Sequence, residues 1–284
     1  MNGRIGLRTC IVVGVILGAS APQAQQTLAP GVTASVPGLA GLWETEIARK
    51  VQTGEIDVLS AAANTPPPGG GLPPGTAELI KQNQLLGNPP YNREWEQKAR
   101  TGARRTGTLP AAHAICSPPG FPAIMEIPFA DDGLFEILVT PAETLLLTAS
   151  GGVRHIYTDG RQHPAARDLW PTPMGDSIGR WEGTTLVIDT IARKVGPISW
   201  FGSALPIPTA QLSSRAHFTE HLRRVDFDTL QDDMTIGDPE RFAHPWRISI
   251  RYKRVTDIDR LLTVDCRENE RNPVVNGQFT LTPP

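Results

Sequence analysis

Apolar and polar residues alternate strictly over residues 246–253. Successive side chains of a strand point to opposite faces of a sheet, so this alternation predicts a strand with one buried and one solvated face. The apolar positions are Trp246, Ile248, Ile250 and Tyr252, and the polar positions between them are Arg247, Ser249, Arg251 and Lys253.

Short runs of aliphatic and β-branched residues recur from residue 134 onward, with turn residues between them. Asp159-Gly160 and Glu182-Gly183 stand between such runs and predict two tight hairpin turns. Many short strands joined by turns indicate a mainly β fold, either an antiparallel barrel or a sandwich. A Gly-x-Trp at 41–43 favours the barrel, and we expect it to be lipocalin-like.

The N-terminal part of the chain differs in amino-acid composition. The segment PPPGGGLPPG at 66–75 suits neither a helix nor an inner strand, because proline lacks an N–H donor and glycine lacks stiffness. Good helix formers at 76–86 and 92–101 predict two short helices. We therefore expect a Pro/Gly-rich arm and linker over 25–75 and a barrel domain over 76–284.

Residues 1–24 have the layout of a secretory signal peptide. Arg4 and Arg8 precede the apolar run at 10–19, and small residues follow it. The run is shorter than the roughly 20 apolar residues that a membrane-spanning helix needs. We therefore expect a periplasmic or secreted protein without a transmembrane segment in its mature form.

The charge of the chain argues against a nucleic-acid partner, and its cysteines predict a disulfide. Cleavage after residue 24 leaves 25 basic and 29 acidic residues, a net charge of −4, and no basic patch that would indicate a nucleic-acid partner. Cys116 and Cys266 remain in the mature chain. In an oxidising compartment they predict a disulfide, and the alternative is two buried free thiols.

The string HFTEH at 217–221 matches the H-x-x-E-H zinc-hydrolase signature. On a helix, His217 and His221 would lie one turn apart and share a metal. On a strand they would lie about 13 Å apart, too far for one ion. The residues after 226 are strand-like and offer no carboxylate on an obvious partner helix, so the pattern favours a strand, and we predict neither metal nor cofactor.

The string GDSIG at 175–179 matches the G-x-S-x-G nucleophile elbow of serine hydrolases. That elbow needs a helix after the serine, whereas the residues after Gly179 predict a hairpin. A bend or bulge explains the two glycines better.

Strand parity places a carboxylate among apolar side chains. Glu220 shares a face with Phe218 and Leu222, and Asp189 shares a face with Val187. A buried carboxylate must be paired or protonated. The nearest basic partners lie around the 159–160 turn: Arg154, His155, Arg161 and His163. We name Glu220, His163 and Asp189 as candidate catalytic residues; a structural ion pair is the alternative.

An apolar, proline-containing segment spans residues 195–210 and predicts a lid over the barrel mouth or an interface with a partner. We expect Trp200 of this segment to contact a ligand, together with Arg161, Tyr157 and Trp181.

Several strings in the chain are unusually specific: RHIYTDGRQHP at 154–164, GDSIGRWEGTTLVIDT at 175–190, CSPPGFPAIM at 116–125, Asp238-Pro239, Pro245-Trp246 and CREN at 266–269. Together they resemble a widespread family of exported bacterial proteins of unknown function. The resemblance covers residues 90–270 and implies no reaction. It does imply that Arg161, His163, Trp181, Glu182, Asp189 and Glu220 are family positions. Two departures are His221, where relatives usually carry arginine, and Ala149, near which they often carry an acid.

Two functions emerge as hypotheses. The first is a barrel that binds a small, partly apolar molecule oriented by Arg161, His163 and Glu220. The second is a metal-independent acid–base enzyme on the same scaffold: an isomerase, lyase or hydratase. Zinc hydrolysis, serine hydrolysis and an envelope interaction protein are weaker alternatives, and the sequence does not predict the oligomeric state.

Overall fold

A computed structural model of the chain describes residues 38–55, 89–103, 120–122, 134–149, 151–194, 196–197, 211–261, 274–275 and 278–279, all within the unit Val36–Pro284. The predicted signal peptide, the segment 66–75, the predicted helix 76–86, both mature cysteines and Trp200 lie outside the described residues.

Nine strands close into a barrel, which confirms the predicted mainly β, barrel-type fold. The strands are β1 Gly41–Thr45, β2 Leu134–Val139, β3 Glu143–Thr148, β4 Val153–Tyr157, β5 Asp176–Glu182, β6 Thr185–Ile191, β9 His217–Asp226, β10 Thr229–Gly237 and β11 Trp246–Arg254. Around the barrel their order is β1-β11-β10-β9-β6-β5-β4-β3-β2.

The remaining elements are small. Strand β7 (Gly196–Pro197) pairs with β8 (Gln211–Leu212), and β12 (Val274–Val275) pairs with β13 (Gln278–Phe279). Helix α1 spans Glu46–Gln52 and α2 spans Arg93–Ala103, which confirms the helix predicted at 92–101. Within the described ranges, no helix is long and apolar enough to cross a membrane.

The barrel reaches further toward the N-terminus than the sequence indicated. Strand β1 pairs with β11 on one side and with β2 on the other, so it closes the barrel. The assignment of 25–75 to an arm and linker is therefore wrong at least for residues 41–45. Trp43 explains the position of the strand, because it is fully buried and its indole donates a 2.8 Å hydrogen bond to the Leu39 carbonyl.

Strands β4 and β5 pair in parallel, whereas every other neighbouring pair in the barrel is antiparallel. The hairpin predicted at Asp159-Gly160 is therefore wrong, although the turn itself forms with Gly160 at φ +84°. Pro164, Pro171 and Pro173 follow the turn and lack the N–H donors of a return strand. By contrast, the turn predicted at Glu182-Gly183 does join β5 to β6.

Alternation along the strands fills the interior. The apolar positions of β11 are buried and Arg247 and Arg251 are exposed, which confirms the pattern over 246–253. Aromatic rings pack tightly inside, for example Phe135 against Tyr252 with ring centroids 5.1 Å apart. Charged residues also lie in this apolar interior, among them Arg154, Glu220 and Asp232.

Candidate functional site

Glu220 lies inside the barrel, as strand parity predicted. Residues 217–226 form a strand, and Glu220 sits opposite Ile188 of β6 and Met234 of β10 with 0 % exposure. His217 and His221 point outward, so the helical zinc arrangement is wrong. Among the described residues, no group of three His, Cys, Asp or Glu side chains is placed to hold a metal ion.

Arg154 of β4 is the partner of Glu220. It is 1 % exposed and donates to both carboxylate oxygens, at 3.0 Å from Nη1 to Oε1 and by a shorter contact from Nη2 to Oε2. Arg154 also donates to the hydroxyls of Ser177 (3.3 Å) and Thr190 (2.9 Å). Its guanidinium carbon lies 3.7 Å from the ring centroid of Phe121, which enters the barrel from the segment 120–122. The Arg154 guanidinium is therefore surrounded by a carboxylate, two hydroxyl groups and an aromatic ring.

A second carboxyl, Asp232 of β10, lies fully buried near this pair. Burial raises its pKa well above the usual range, and the Glu220 carboxylate raises it further. Among the described residues, neither carboxyl oxygen of Asp232 has a hydrogen-bond partner when Asp232 and Glu220 are both ionised. Two carboxylates cannot bond to each other, because neither has a proton to donate. A proton on Asp232 makes it a donor toward Glu220. The raised pKa of Asp232 therefore favours its protonated form beside the Arg154–Glu220 pair.

Ser177 sits on a strand and not on an elbow. It lies within β5, it is buried, and β6 follows it. Gly175 has φ +74°, and a Cβ there would approach the Ile191 carbonyl to 2.8 Å. A Cβ on Gly179 would approach Ile156 to 2.9 Å inside the barrel. The left-handed backbone of Gly175 fits the bend that the sequence indicated, whereas Gly179 allows close packing inside the barrel.

His163 and Asp189 lie on the outer face of the barrel, in a chain of four side chains. His163, on the loop after β4, contacts Asp176 through Nδ1 at 2.5 Å and Asp189 through Nε2 at 2.8 Å. Nε2 of His217 lies 2.7 Å from the other oxygen of Asp189. Both nitrogens of His163 face carboxylates, so the ring donates at both positions only when it carries two protons.

The central carboxylate of this chain is stabilised in its charged form. Desolvation alone would raise the pKa of Asp189, but hydrogen bonds from His217 and His163 outweigh it and lower the pKa. The hydrogen bond to Asp189 raises the pKa of His217 against the opposing effect of desolvation. The Asp189 carboxylate therefore binds the imidazoles of His163 and His217 at the barrel surface.

A cleft of about 430 Å³ lies where β4 and β5 separate. The two strands pair only at Ile156 and Tyr157, so residues 153–155 have no partner in β5. We call this the seam cleft. Its lining residues are Gly151, Gly152, Val153, His155, Tyr157, Thr172, Pro173, Met174, Gly175, Asp176 and Ser177. It therefore reaches from Asp176 of the outer chain to Ser177, which contacts the buried Arg154.

The other predicted ligand-binding residues are scattered. Arg161 is bound to Asp159 through several hydrogen bonds and lies over the Tyr157 ring, 3.9 Å from its centroid. Tyr157 lines the seam cleft, whereas Trp181 packs against the barrel core. The structure does not bring Arg161, His163 and Glu220 together, since Glu220 is inside the wall and His163 is outside it.

Sequence reasoning missed Asp232 and Asp176 and gave Arg154 only as one of several basic neighbours. Asp232 has the parity of the buried Leu230, Met234 and Ile236, so the alternation in 229–237 carried its signal. No comparable signal linked Asp176 to His163 and Asp189, because these residues come from separate segments.

The chain matches no known family model, no curated protein and no solved structure. The site is therefore interpreted from its own geometry.

Proposed function

We propose that this is an exported protein that binds a small, partly apolar molecule in the seam cleft. The observation that carries the proposal is the cleft itself, which lies beside the short pairing of β4 with β5 and has Ser177 among its lining residues. Export rests on the signal-peptide pattern of residues 1–24 and on the family resemblance.

The lining chemistry supports a ligand with an apolar body and a few polar atoms. Val153, Met174, Pro173 and Tyr157 offer apolar surface, and His155, Asp176 and Ser177 offer hydrogen bonds. His155 and Tyr157 stack with ring centroids 6.0 Å apart and planes at 21°, which gives a flat surface for a planar ligand.

In this proposal the predicted orienting residues act indirectly. Glu220 fixes Arg154, which donates a hydrogen bond to the hydroxyl of Ser177, a lining residue of the cleft. Arg161 lies over the Tyr157 ring, with its guanidinium carbon 3.9 Å from the ring centroid. Ligand contact falls to Tyr157, Asp176 and Ser177, while Glu220 and Arg161 are positioning residues.

A second candidate function is an acid–base enzyme, and a separate observation favours it. Asp176 lines the seam cleft and is hydrogen-bonded to His163, which in turn contacts Asp189. A carboxyl that faces the ligand and is backed by an imidazole suits proton transfer in an isomerase, lyase or hydratase.

Native mass spectrometry of the full chain, purified from its own host, tests the binding function. We expect a small molecule to copurify and to be released on unfolding. Val153→Trp places a large ring in the cleft at an exposed position and should abolish this copurification. Leu138→Trp is the matched control, since Leu138 is equally exposed on β2 and does not line the cleft.

Two outcomes contradict the proposal: no copurifying molecule, or the same amount of it in Val153→Trp. Once the molecule is known, incubation with the wild type and with His163→Gln separates the two functions. Conversion of the molecule by the wild type and loss of conversion in His163→Gln would establish the enzyme. Binding without conversion in both would establish the carrier.

A further inference from the structure

A second cleft lies beside His217, at the opposite end of the hydrogen-bonded chain from the seam cleft. Its volume is about 240 Å³, so it has room for a small molecule. We call it the His217 cleft, and it shares no lining residue with the seam cleft. Its lining residues are Ala166, Leu169, Pro171, Ile191, Ala192, Ser214, Arg215, Ala216 and His217.

One side of the His217 cleft is apolar. Ala166, Leu169 and Pro171 come from the loop between β4 and β5, and Ala216 faces them from the segment before β9. Trp170 stands next to this wall and is 80 % exposed, although large apolar side chains are seldom so exposed. An apolar group in the cleft would be covered on this side.

The other side of the cleft is cationic. The guanidinium of Arg215 is exposed, and within the described part of the chain no acidic side chain pairs with it. Ser214 adds a hydroxyl, and none of the lining residues is acidic. An exposed arginine with its donors unused is suited to bidentate recognition of a carboxylate.

His217 is held in a fixed orientation toward this cleft. Its Nε2 is bound to Asp189, and among the described residues its Nδ1 has no hydrogen-bond partner. The Asp189 charge is shared between two imidazoles, and that carboxylate does not line the cleft. The raised pKa of His217 keeps the ring protonated over a wider range of pH, so that Nδ1 can donate.

We infer that the His217 cleft is a second binding site, for the carboxylate end of a small acid with an apolar tail. Arg215 and Nδ1 of His217 bind the carboxylate, and the 166–171 wall covers the tail. This inference does not rest on the proposed function, because the two clefts are lined by different residues.

Hexanoate is a suitable probe, since its eight non-hydrogen atoms suit the volume. Hexanol supplies the same tail without the charge, and acetate supplies the charge without the tail. Binding to the full chain is followed at about pH 6, below the ordinary pKa of histidine, by the His217 ring signals in NMR and by Trp170 fluorescence. A Trp170→Phe variant identifies the fluorescence change.

We expect hexanoate to shift the His217 ring signals with saturation and to bind more tightly than hexanol or acetate. Arg215→Gln should weaken binding by about tenfold or more, because a hydrogen bond to a charged group is lost. Within the described part of the chain, the Arg215 side chain has no hydrogen-bond or ion-pair partner, so this variant should fold normally. His221→Gln is the matched control, being exposed on the same strand face four residues further on, and it should bind hexanoate as the wild type does.

Three results overturn the inference: no saturable shift of His217, equal binding of hexanol, or unchanged binding in Arg215→Gln. The variant Val153→Trp separates this site from the seam cleft. Hexanoate binding that survives Val153→Trp supports the His217 cleft. Loss of hexanoate binding in that variant would place the acid in the seam cleft and also overturn the inference.

Discussion

Arg154 on β4 and Glu220 on β9 meet inside the barrel, where the arginine donates to both carboxylate oxygens. The two strands are not neighbours, because β5 and β6 lie between them. The pair therefore ties the strand beside the seam to a more distant part of the wall. Asp232 lies near the pair, and both its own burial and the Glu220 charge raise its pKa.

Glu220→Gln should destabilise the protein by about 3–5 kcal/mol, because it leaves the Arg154 charge buried without its counter-charge. Urea unfolding followed by circular dichroism measures the change. Glu182→Gln is the control: Glu182 pairs with Arg180 on the exposed surface, and such pairs contribute about 0–1 kcal/mol. Equal midpoints for Glu220→Gln and the wild type would contradict a stabilising role of the pair.

Asp232→Asn should stabilise the protein at neutral pH. The folded-state pKa of Asp232 is raised, so the folded protein binds more protons than the unfolded chain above the ordinary value of 3.8. Stability is therefore lost as the pH rises from there toward the raised pKa, by about 1.4 kcal/mol for each pH unit. Asparagine has no such titration, and its amide can donate to Glu220.

Urea midpoints of the wild type and Asp232→Asn, measured from about pH 5 to about pH 8, test this. The neighbouring Asp233→Asn is the control, and it should change the stability in the opposite direction. Desolvation favours a raised pKa for Asp233, but hydrogen bonds from Gln231, Ser249 and Arg223 lower it, so its removal should destabilise at neutral pH. A stability difference between Asp232→Asn and the wild type that does not change in favour of the variant as the pH rises from about 5 to about 8 would contradict the raised pKa of Asp232.

The alternation of side chains made much of this interior predictable. It placed Glu220 inward with Phe218 and Leu222, and the same parity in β10 places Asp232 with Leu230 and Met234. Parity says which face a residue occupies, but it does not say which strands are neighbours. That is why Arg154 was only one of several possible partners for Glu220.

The residues at the Asp159-Gly160 turn did not predict that β4 pairs with β5 in parallel. Asp159-Gly160 forms its turn, with the Arg161 amide donating to Asp159 at 3.2 Å, but the proline-containing segment after it supplies no return strand. The chain instead continues to β5, which joins β4 in parallel. The seam cleft and the chain from Asp176 to His217 both result from that pairing, so neither was visible in the sequence.

Asp189→Asn should lower the pKa of His217 toward its ordinary value, because the hydrogen bond and charge that raise it are removed. NMR titration of the His217 ring measures this directly. Asp159→Asn is the control, since that carboxylate pairs with Arg161 and not with His217. An unchanged His217 titration in Asp189→Asn would show that the contact does not persist in solution.

The same pair predicts a window of pH for its contribution to stability. Asp189 has a lowered pKa, so its contribution is present above its ordinary value and is lost as the pH falls through the lowered one. His217 has a raised pKa, so its contribution is present below its ordinary value and is lost as the pH rises through the raised one. The stability difference between wild type and Asp189→Asn should therefore be largest between about pH 4 and about pH 6.5.

Ser177 should remain unlabelled by a fluorophosphonate, the general reagent for activated serines. A nucleophilic serine needs a base that takes its proton. The Ser177 hydroxyl instead contacts the Arg154 guanidinium, which accepts no proton, and the Thr190 hydroxyl at 2.9 Å. Peptide mass spectrometry after treatment checks the site, with Ser177→Ala as the control for any adduct. An adduct on Ser177 that disappears in Ser177→Ala would restore the serine-hydrolase hypothesis and require a base close to the hydroxyl.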